Sequence, residues 1–188
     1  MIPLLLTSCF MAEFTIKSPP PKKSEEILEG TQKLSGVHTF GAETFEQLSN
    51  EGLLKLNGTN ILQTLRVDGT LLASFARIAN LEVFGEANLR STHVSGPCTI
   101  IGYLRAQESE FKGPLLLGAQ KGVFTATKLA SITVRKDDSF KGKQIIELKQ
   151  GTIVDGSIHF ESGKGEVYLY PGCQVLGSIT GGKLIKKS

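Results

Sequence analysis

Three stretches of the chain repeat one pattern of apolar and polar residues. Residues 65–73 read LRVDGTLLA, residues 81–89 read LEVFGEANL, and residues 98–106 read CTIIGYLRA. Apolar residues recur at every second position around a shared glycine, which is the pattern of a half-buried strand. The stretches start at Leu65, Leu81 and Cys98, so the spacing between them is nearly constant. This spacing predicts a solenoid, in which each coil stacks on the one before it.

The same spacing extends further along the chain and arranges apolar residues in columns. The best-defined column recurs at nearly equal intervals through five coils. Its members are Val67, Val83, Ile100, Leu117 and Val134. The positions between such columns are mostly polar. We expect the columns to point inward and to form one continuous core, because a single coil cannot bury its own apolar face.

The C-terminal part of the chain repeats with a longer step. Residues 146–158 read IELKQGTIVDGSI, and residues 167–179 read VYLYPGCQVLGSI. The shared apolar, Gly and Ser positions predict two further turns of the coil, with Leu169, Val175 and Ile179 in its core columns. Residues 135–143 interrupt the spacing and predict a protruding loop.

These repeats divide the chain into four parts and predict an all-β fold. Residues 36–184 form a single-stranded β-helix of about eight turns, given the strand spacing of stacked coils. Residues 11–35 contain the run SPPPKKS and predict a flexible, disordered N-terminal linker, in which residues 25–34 are long enough for a short helical turn. Residues 1–10 are an apolar segment, and residues 185–188 are a basic tail.

The charge of the chain is nearly balanced. It has 21 Lys and Arg residues against 18 Asp and Glu residues, a formal net charge of +3. Lys183, Lys186 and Lys187 lie in the last six residues, which contain no acid. Nucleic-acid binding depends on clustered cations, so the balanced remainder predicts no broad phosphate-binding face and no nucleic-acid partner.

The first ten residues, MIPLLLTSCF, suggest a membrane attachment. The run from Leu6 to Cys9 resembles a bacterial lipobox, in which the cysteine is diacylated, and this makes Cys9 the candidate for lipidation. A secretory signal has a basic start and a longer apolar run, and neither is present here. An unprocessed apolar tail on a cytoplasmic protein therefore remains the alternative. Both interpretations predict membrane association, either lipid-anchored in the cell envelope or cytoplasmic at the inner membrane.

No constellation of residues in the sequence predicts catalysis. His93 falls in an outward column with Arg77 and Glu110, but no Ser or Cys nucleophile shares that column. We therefore expect no enzyme, no catalytic residue and no cofactor. His159 points outward, and His38 has no evident partner.

The cysteines and the paired carboxylates also predict no metal site. Cys98 and Cys173 fall in inward positions, where a free cysteine acts as a small apolar residue. Asp137 and Asp138 are adjacent in the predicted loop, and two neighbouring carboxylates supply fewer oxygens than a calcium ion needs.

A family resemblance is carried by the pattern G-x-x-V-x-G-x-I, which occurs at 151–158 and again at 172–179. This pattern, the Pro- and Lys-bearing N-terminal part and the short basic tail resemble the bactofilins over residues 36–184, most closely over 143–184. The resemblance implies a right-handed β-helix in a bacterial, polymer-forming cytoskeletal protein. It also implies end-to-end assembly without nucleotide into a homo-oligomer or homopolymer, and membrane contact through the N-terminal tail.

Two other functions remain open at this point. One is a lipid-anchored bacterial envelope protein that uses the solenoid surface to bind a partner or a glycan. The other is a sugar-modifying β-helix enzyme, which would need a groove of convergent carboxylates that the sequence does not supply. The steps between repeats are not multiples of six, and they exclude the hexapeptide-repeat acyltransferases.

Overall fold

The computed structural model describes residues 27–188, and this part of the chain contains strands and turns but no helix. All its strand pairs are parallel. They stack into a solenoid of about nine turns. The predicted all-β solenoid is confirmed, with one turn more than expected.

Sixteen strands build the coil. They are β1 (Ile27–Phe40), β2 (Thr44–Asn57), β3 (Asn60–Ser74), β4 (Arg77–Arg90), β5 (His93–Val94), β6 (Cys98–Gln107), β7 (Glu110–Gly118), β8 (Lys121–Thr125), β9 (Lys128–Val134), β10 (Ile145–Lys149), β11 (Ile153–Val154), β12 (Ile158–Phe160), β13 (Gly165–Leu169), β14 (Gln174–Val175), β15 (Ile179–Thr180) and β16 (Gly182–Lys186).

Pairing between turns gives the length of each step. From Ile27 to Lys128, the residues paired at the start of successive turns are 16 to 18 positions apart. Lys128 then pairs with Ile153, a step of 25, and Ile153 pairs with Gln174, a step of 21. The long step contains the predicted loop, which lies between β9 and β10.

The solenoid begins earlier than position 36. Strand β1 starts at Ile27, so residues placed in the linker and in a helical turn instead form a strand on β2. Parallel pairing explains the difference, because the backbone of an end strand is held by its neighbour even where its own apolar pattern is weak. At the other end, β16 runs through Lys186, so half of the predicted basic tail belongs to the last turn.

One corner of the coil requires glycine. Gly52, Gly69, Gly85 and Gly102 stack in register, each with φ between +121° and +141°. A Cβ on any of the last three would overlap the carbonyl oxygen of the glycine one turn before it. The excess glycine of the sequence therefore has a steric cause, because only glycine permits this close stacking.

A second corner is held by hydroxyl groups rather than by glycine. Buried hydroxyl residues stack there: Thr59, Thr92, Ser109, Thr127 and Thr152. Each side chain donates a hydrogen bond to backbone carbonyls of the same corner or of the turn below. At each of four turns the hydroxyl adds a second hydrogen bond to a carbonyl that already accepts a backbone N–H from the preceding turn. These carbonyls belong to Arg90, Gln107, Thr125 and Lys149. The column is not evident from the sequence, because Ala76 and Cys173 interrupt it.

The inward columns form one core along the coil axis. Val67, Val83, Ile100, Leu117 and Val134 pair in register from turn to turn, and each is fully buried. Leu169, Val175 and Ile179 lie in the last turns and are partly buried against the same core.

Candidate functional site

The C-terminal end of the coil presents an unpaired sheet edge. Within residues 27–188, β14, β15 and β16 each pair with one strand only, namely β11, β12 and β13. Their outer edges therefore carry backbone N–H and C=O groups without strand partners, and such an edge is a template for another strand.

The same end leaves core columns uncovered. Three apolar side chains sit at the top of these columns, each one turn above a fully buried residue. The pairs are Val175 on Val154, Ile179 on Ile158, and Leu184 on Val167. Leu184 is 45% exposed. The end face thus continues the core composition of the coil without a cap in the described residues.

The N-terminal end of the described residues also presents an unpaired strand edge, but its inward positions hold a histidine as well as apolar residues. Strand β1 pairs only with β2 there. Leu34 and Phe40 stand in inward positions, and the Phe40 ring meets the Phe45 ring edge-on at 4.8 Å. His38 also occupies an inward position, and its Nε2 lies 2.9 Å from the carbonyl oxygen of Ser35.

Asn50 is an unusual member of the core. It stacks on Val67 in the column of aliphatic residues and is fully buried. Among the described residues, neither its side-chain oxygen nor its nitrogen has a hydrogen-bond partner. Burying an amide without partners is costly, so this position weakens the second turn of the coil.

The histidine column lies on the surface. His93 Nδ1 is 2.9 Å from Glu110 Oε2, and both side chains are about one-third exposed. Arg77 pairs with His93 one turn away. His159 is on another face, with Nδ1 2.7 Å from Thr180 Oγ1.

The remaining candidate residues from the sequence are the three cysteines and Asp137. Cys98 is buried, and burial raises the pKa of its thiol. Cys173 is also buried, whereas Cys9 lies outside the described residues. Asp137 accepts hydrogen bonds from the Ser139 hydroxyl and backbone N–H, which lower its pKa.

Residues 27–188 contain neither a metal-binding cluster nor a membrane-spanning helix. No group of three or more His, Cys, Asp or Glu residues there is arranged to hold a metal ion. The same part of the chain contains no helix long and apolar enough to cross a membrane.

One face of the coil collects cations and aromatic residues that are distant in sequence. It is built by the second half of β4 and of β6, and by β8, β10, β13 and β16, which follow one another in the sheet. We call it the basic face. Its cations are Arg90, Arg105, Lys121, Lys143, Lys149, Lys183 and Lys187.

All three tyrosines of the chain lie on the basic face, and each contacts a cation. The Lys187 ammonium is 4.1 Å from the ring centroid of Tyr168, and the Lys149 ammonium is 5.1 Å from that of Tyr170. Arg105 donates a hydrogen bond of 3.3 Å to the hydroxyl of Tyr103.

Glu147 is recessed between the lysines of this face. The Nζ atoms of Lys121 and Lys149 are 2.8 Å and 2.7 Å from its two carboxylate oxygens. Burial alone would raise the pKa of Glu147, but the two hydrogen bonds outweigh it and lower that pKa. The bond to Glu147 raises the pKa of Lys149.

Glu166 is the second recessed acid. It accepts hydrogen bonds from Lys143 and, at 3.0 Å, from the Tyr168 hydroxyl. Both bonds lower the pKa of Glu166, and the second raises the pKa of Tyr168. An open groove of about 470 Å³ adjoins this pair and is lined by Lys143, Lys164 and Lys183.

The overall charge balance predicted no broad cationic face, and the basic face corrects that expectation. Its cations lie on successive turns, where a charge summed along the sequence conceals them. Comparison of this chain with models of protein families, with curated proteins and with solved structures found no match.

Proposed function

We propose that this protein is a non-enzymatic structural protein that assembles with copies of itself by stacking end turns. The observation that carries the proposal is the C-terminal end face, where Leu184 and Ile179 lie uncovered above buried core columns. The partner that fits this face is a second copy of the chain.

The physical basis is continuation of the coil across the contact. A second end turn supplies strand edges that pair with β14, β15 and β16, and it covers the apolar tops of the columns. Since the N-terminal end of the described residues is also unpaired beyond β1, stacking at both ends gives chains of copies rather than closed pairs. The resemblance to bactofilins supports the same function.

Two matched variants test this proposal in the full-length protein. Leu184 and Leu62 are 45% and 44% exposed, but only Leu184 lies on an end turn. We expect Leu184→Lys to abolish particles longer than a dimer in electron microscopy and sedimentation velocity, and Leu62→Lys to retain them. Wild-type protein that stays monomeric at high concentration would refute the proposal, as would long filaments of the Leu184→Lys variant.

Attachment to a membrane through the N-terminal segment is a separate part of the proposal. It rests on the lipobox-like run that ends at Cys9. Metabolic labelling with a palmitate analogue tests it. Label on the wild-type chain that disappears in Cys9→Ser supports lipidation, and an unlabelled wild-type chain refutes it. Assembly and lipidation are measured independently, so either can fail alone.

A further inference from the structure

We propose that the basic face is a contact surface for an anionic phospholipid bilayer. This goes beyond end-to-end assembly and does not depend on Cys9. The proposal rests on the seven cations of the face, its three tyrosines and its recessed acids.

Two of the three acids of the face, Glu147 and Glu166, are recessed below its cations, and only Glu86 on β4 is exposed. The side chains of Glu147 and Glu166 are each 10% exposed, whereas Lys121 and Lys143, which bind them, are 46% and 66% exposed. An anionic surface approaching the face therefore meets mainly ammonium and guanidinium groups. The recessed carboxylates hold some of the lysines in place while contributing little negative charge at the contact.

The shape of the basic face fits the surface of a bilayer better than a single strand of nucleic acid. Its strands lie side by side in one parallel sheet, so its outward residues form adjacent columns, and the groove beside Glu166 is confined to the last turns. Neighbouring strands of this face come from successive turns of the coil and are about 4.8 Å apart. Such a row of cations can meet many lipid headgroups at once, and anionic lipids attract clustered Lys and Arg residues.

The tyrosines also favour a bilayer. Tyr168 and Tyr170 are half-buried, with an apolar ring in the sheet and a polar end at the surface, and such residues are enriched where membrane meets water. The Lys187 and Lys149 ammonium groups lie over their rings. Single-stranded nucleic acid is held by bases stacked on free aromatic rings, and here cations occupy those ring faces.

A charge-matched pair of triple variants tests the proposal in the full-length protein. The first carries Arg90→Gln, Arg105→Gln and Lys121→Gln, all on interior turns of the basic face, and it leaves Lys149 on Glu147. The control replaces two arginines and one lysine on other surfaces of interior turns: Arg66→Gln, Arg77→Gln and Lys128→Gln. Both variants should retain the wild-type circular dichroism spectrum and assembly.

Binding is measured by co-sedimentation with vesicles of phosphatidylglycerol and phosphatidylcholine, and with vesicles of phosphatidylcholine alone. We expect the wild type to bind the anionic vesicles only, and the first variant to bind them about a hundredfold more weakly. Each cation near an anionic bilayer contributes about 1 kcal/mol, and each loss of about 1.4 kcal/mol weakens binding about tenfold. The control variant should stay within about threefold of wild type, because charges turned away from the bilayer are screened.

Three results would overturn the proposal. They are unchanged binding of the first variant, equal losses in both variants, and tighter binding of the wild type to heparin or duplex DNA than to the anionic vesicles. Assembly is followed separately by electron microscopy, and the variants avoid both end turns, so failure of lipid binding is distinguishable from failure of self-assembly.

Discussion

Gly85 stacks directly on Gly69, and both residues have φ of +141°. A Cβ on Gly85 would overlap the carbonyl oxygen of Gly69. The backbones of successive turns thus approach too closely at this corner for a side chain.

Gly85→Ala should lower the free energy of unfolding by about 3 kcal/mol or more, because it adds backbone strain and a steric overlap to one turn. Gly163 supplies the control. Its φ is also positive, at +68°, but no atom lies within 4 Å of the position of an added Cβ. Gly163→Ala should cost about 1 kcal/mol, the conformational part alone. Urea unfolding followed by circular dichroism measures both, and equal losses would contradict the steric account.

Thr127→Val should lower the free energy of unfolding by about 1–2 kcal/mol, because the Thr127 hydroxyl donates to the carbonyl oxygens of Ala106 and Thr125 at a buried corner. Valine has the same shape but leaves these carbonyls with one partner fewer. Thr133 faces outward, and Thr133→Val should change stability by less than about 0.5 kcal/mol. The comparison requires thermal and urea unfolding of both variants; a Thr127→Val protein as stable as Thr133→Val would exclude a role for the hydroxyl column.

The sequence was sufficient to predict the coil, its core columns and the longer step of its C-terminal turns. A period of two and a fixed step are visible in a single sequence, because residues such as Val67 and Val83 share one environment on successive turns. The start of the coil was harder to predict from the sequence. Ile27 and Leu28 lie on the first turn of residues 27–188, where the described residues cover the core from one side and the apolar pattern is weak.

The basic face could be assembled only from the structure. Arg105 and Lys121 lie on paired strands of successive turns, yet they are far apart in the sequence, and acids from other faces lie between them. Lys149 joins them only because the loop between β9 and β10 lengthens the step and brings β10 onto β8. A net charge summed along the chain mixes all faces and therefore hides such a surface.

Asn50→Val should raise the free energy of unfolding by about 1–2 kcal/mol, because it removes a buried amide that lacks partners among the described residues. Valine also matches Val67, its neighbour in the column. The opposite substitution, Val83→Asn, should lower the free energy of unfolding by more than Asn50→Val raises it, since it creates a second buried amide of this kind. If Asn50→Val destabilises the protein instead, Asn50 has a partner outside the described residues.

Acidification should destabilise the coil through Glu147. Its pKa is lowered in the folded protein from the ordinary value of 4.5, so its contribution to stability is present above that value and is lost as the pH falls through the lower, folded pKa. Glu147→Gln should therefore flatten the dependence of the unfolding free energy on pH below about 5. Urea unfolding at a series of pH values measures this slope, and an unchanged slope would contradict the assignment.

A lysine in a core column should have opposite consequences in the interior and at the end of the coil. Ile179 pairs with Ile158 one turn below it, and the two occupy the same column. Ile158 is fully buried, so Ile158→Lys places an uncompensated charge in the core and should prevent folding. Ile179 is only partly buried on the last turn, where a lysine can extend to solvent. Ile179→Lys should therefore retain the wild-type circular dichroism spectrum and lose particles longer than a dimer. An unfolded Ile179→Lys protein would mean that the last turn is covered by a further part of the structure.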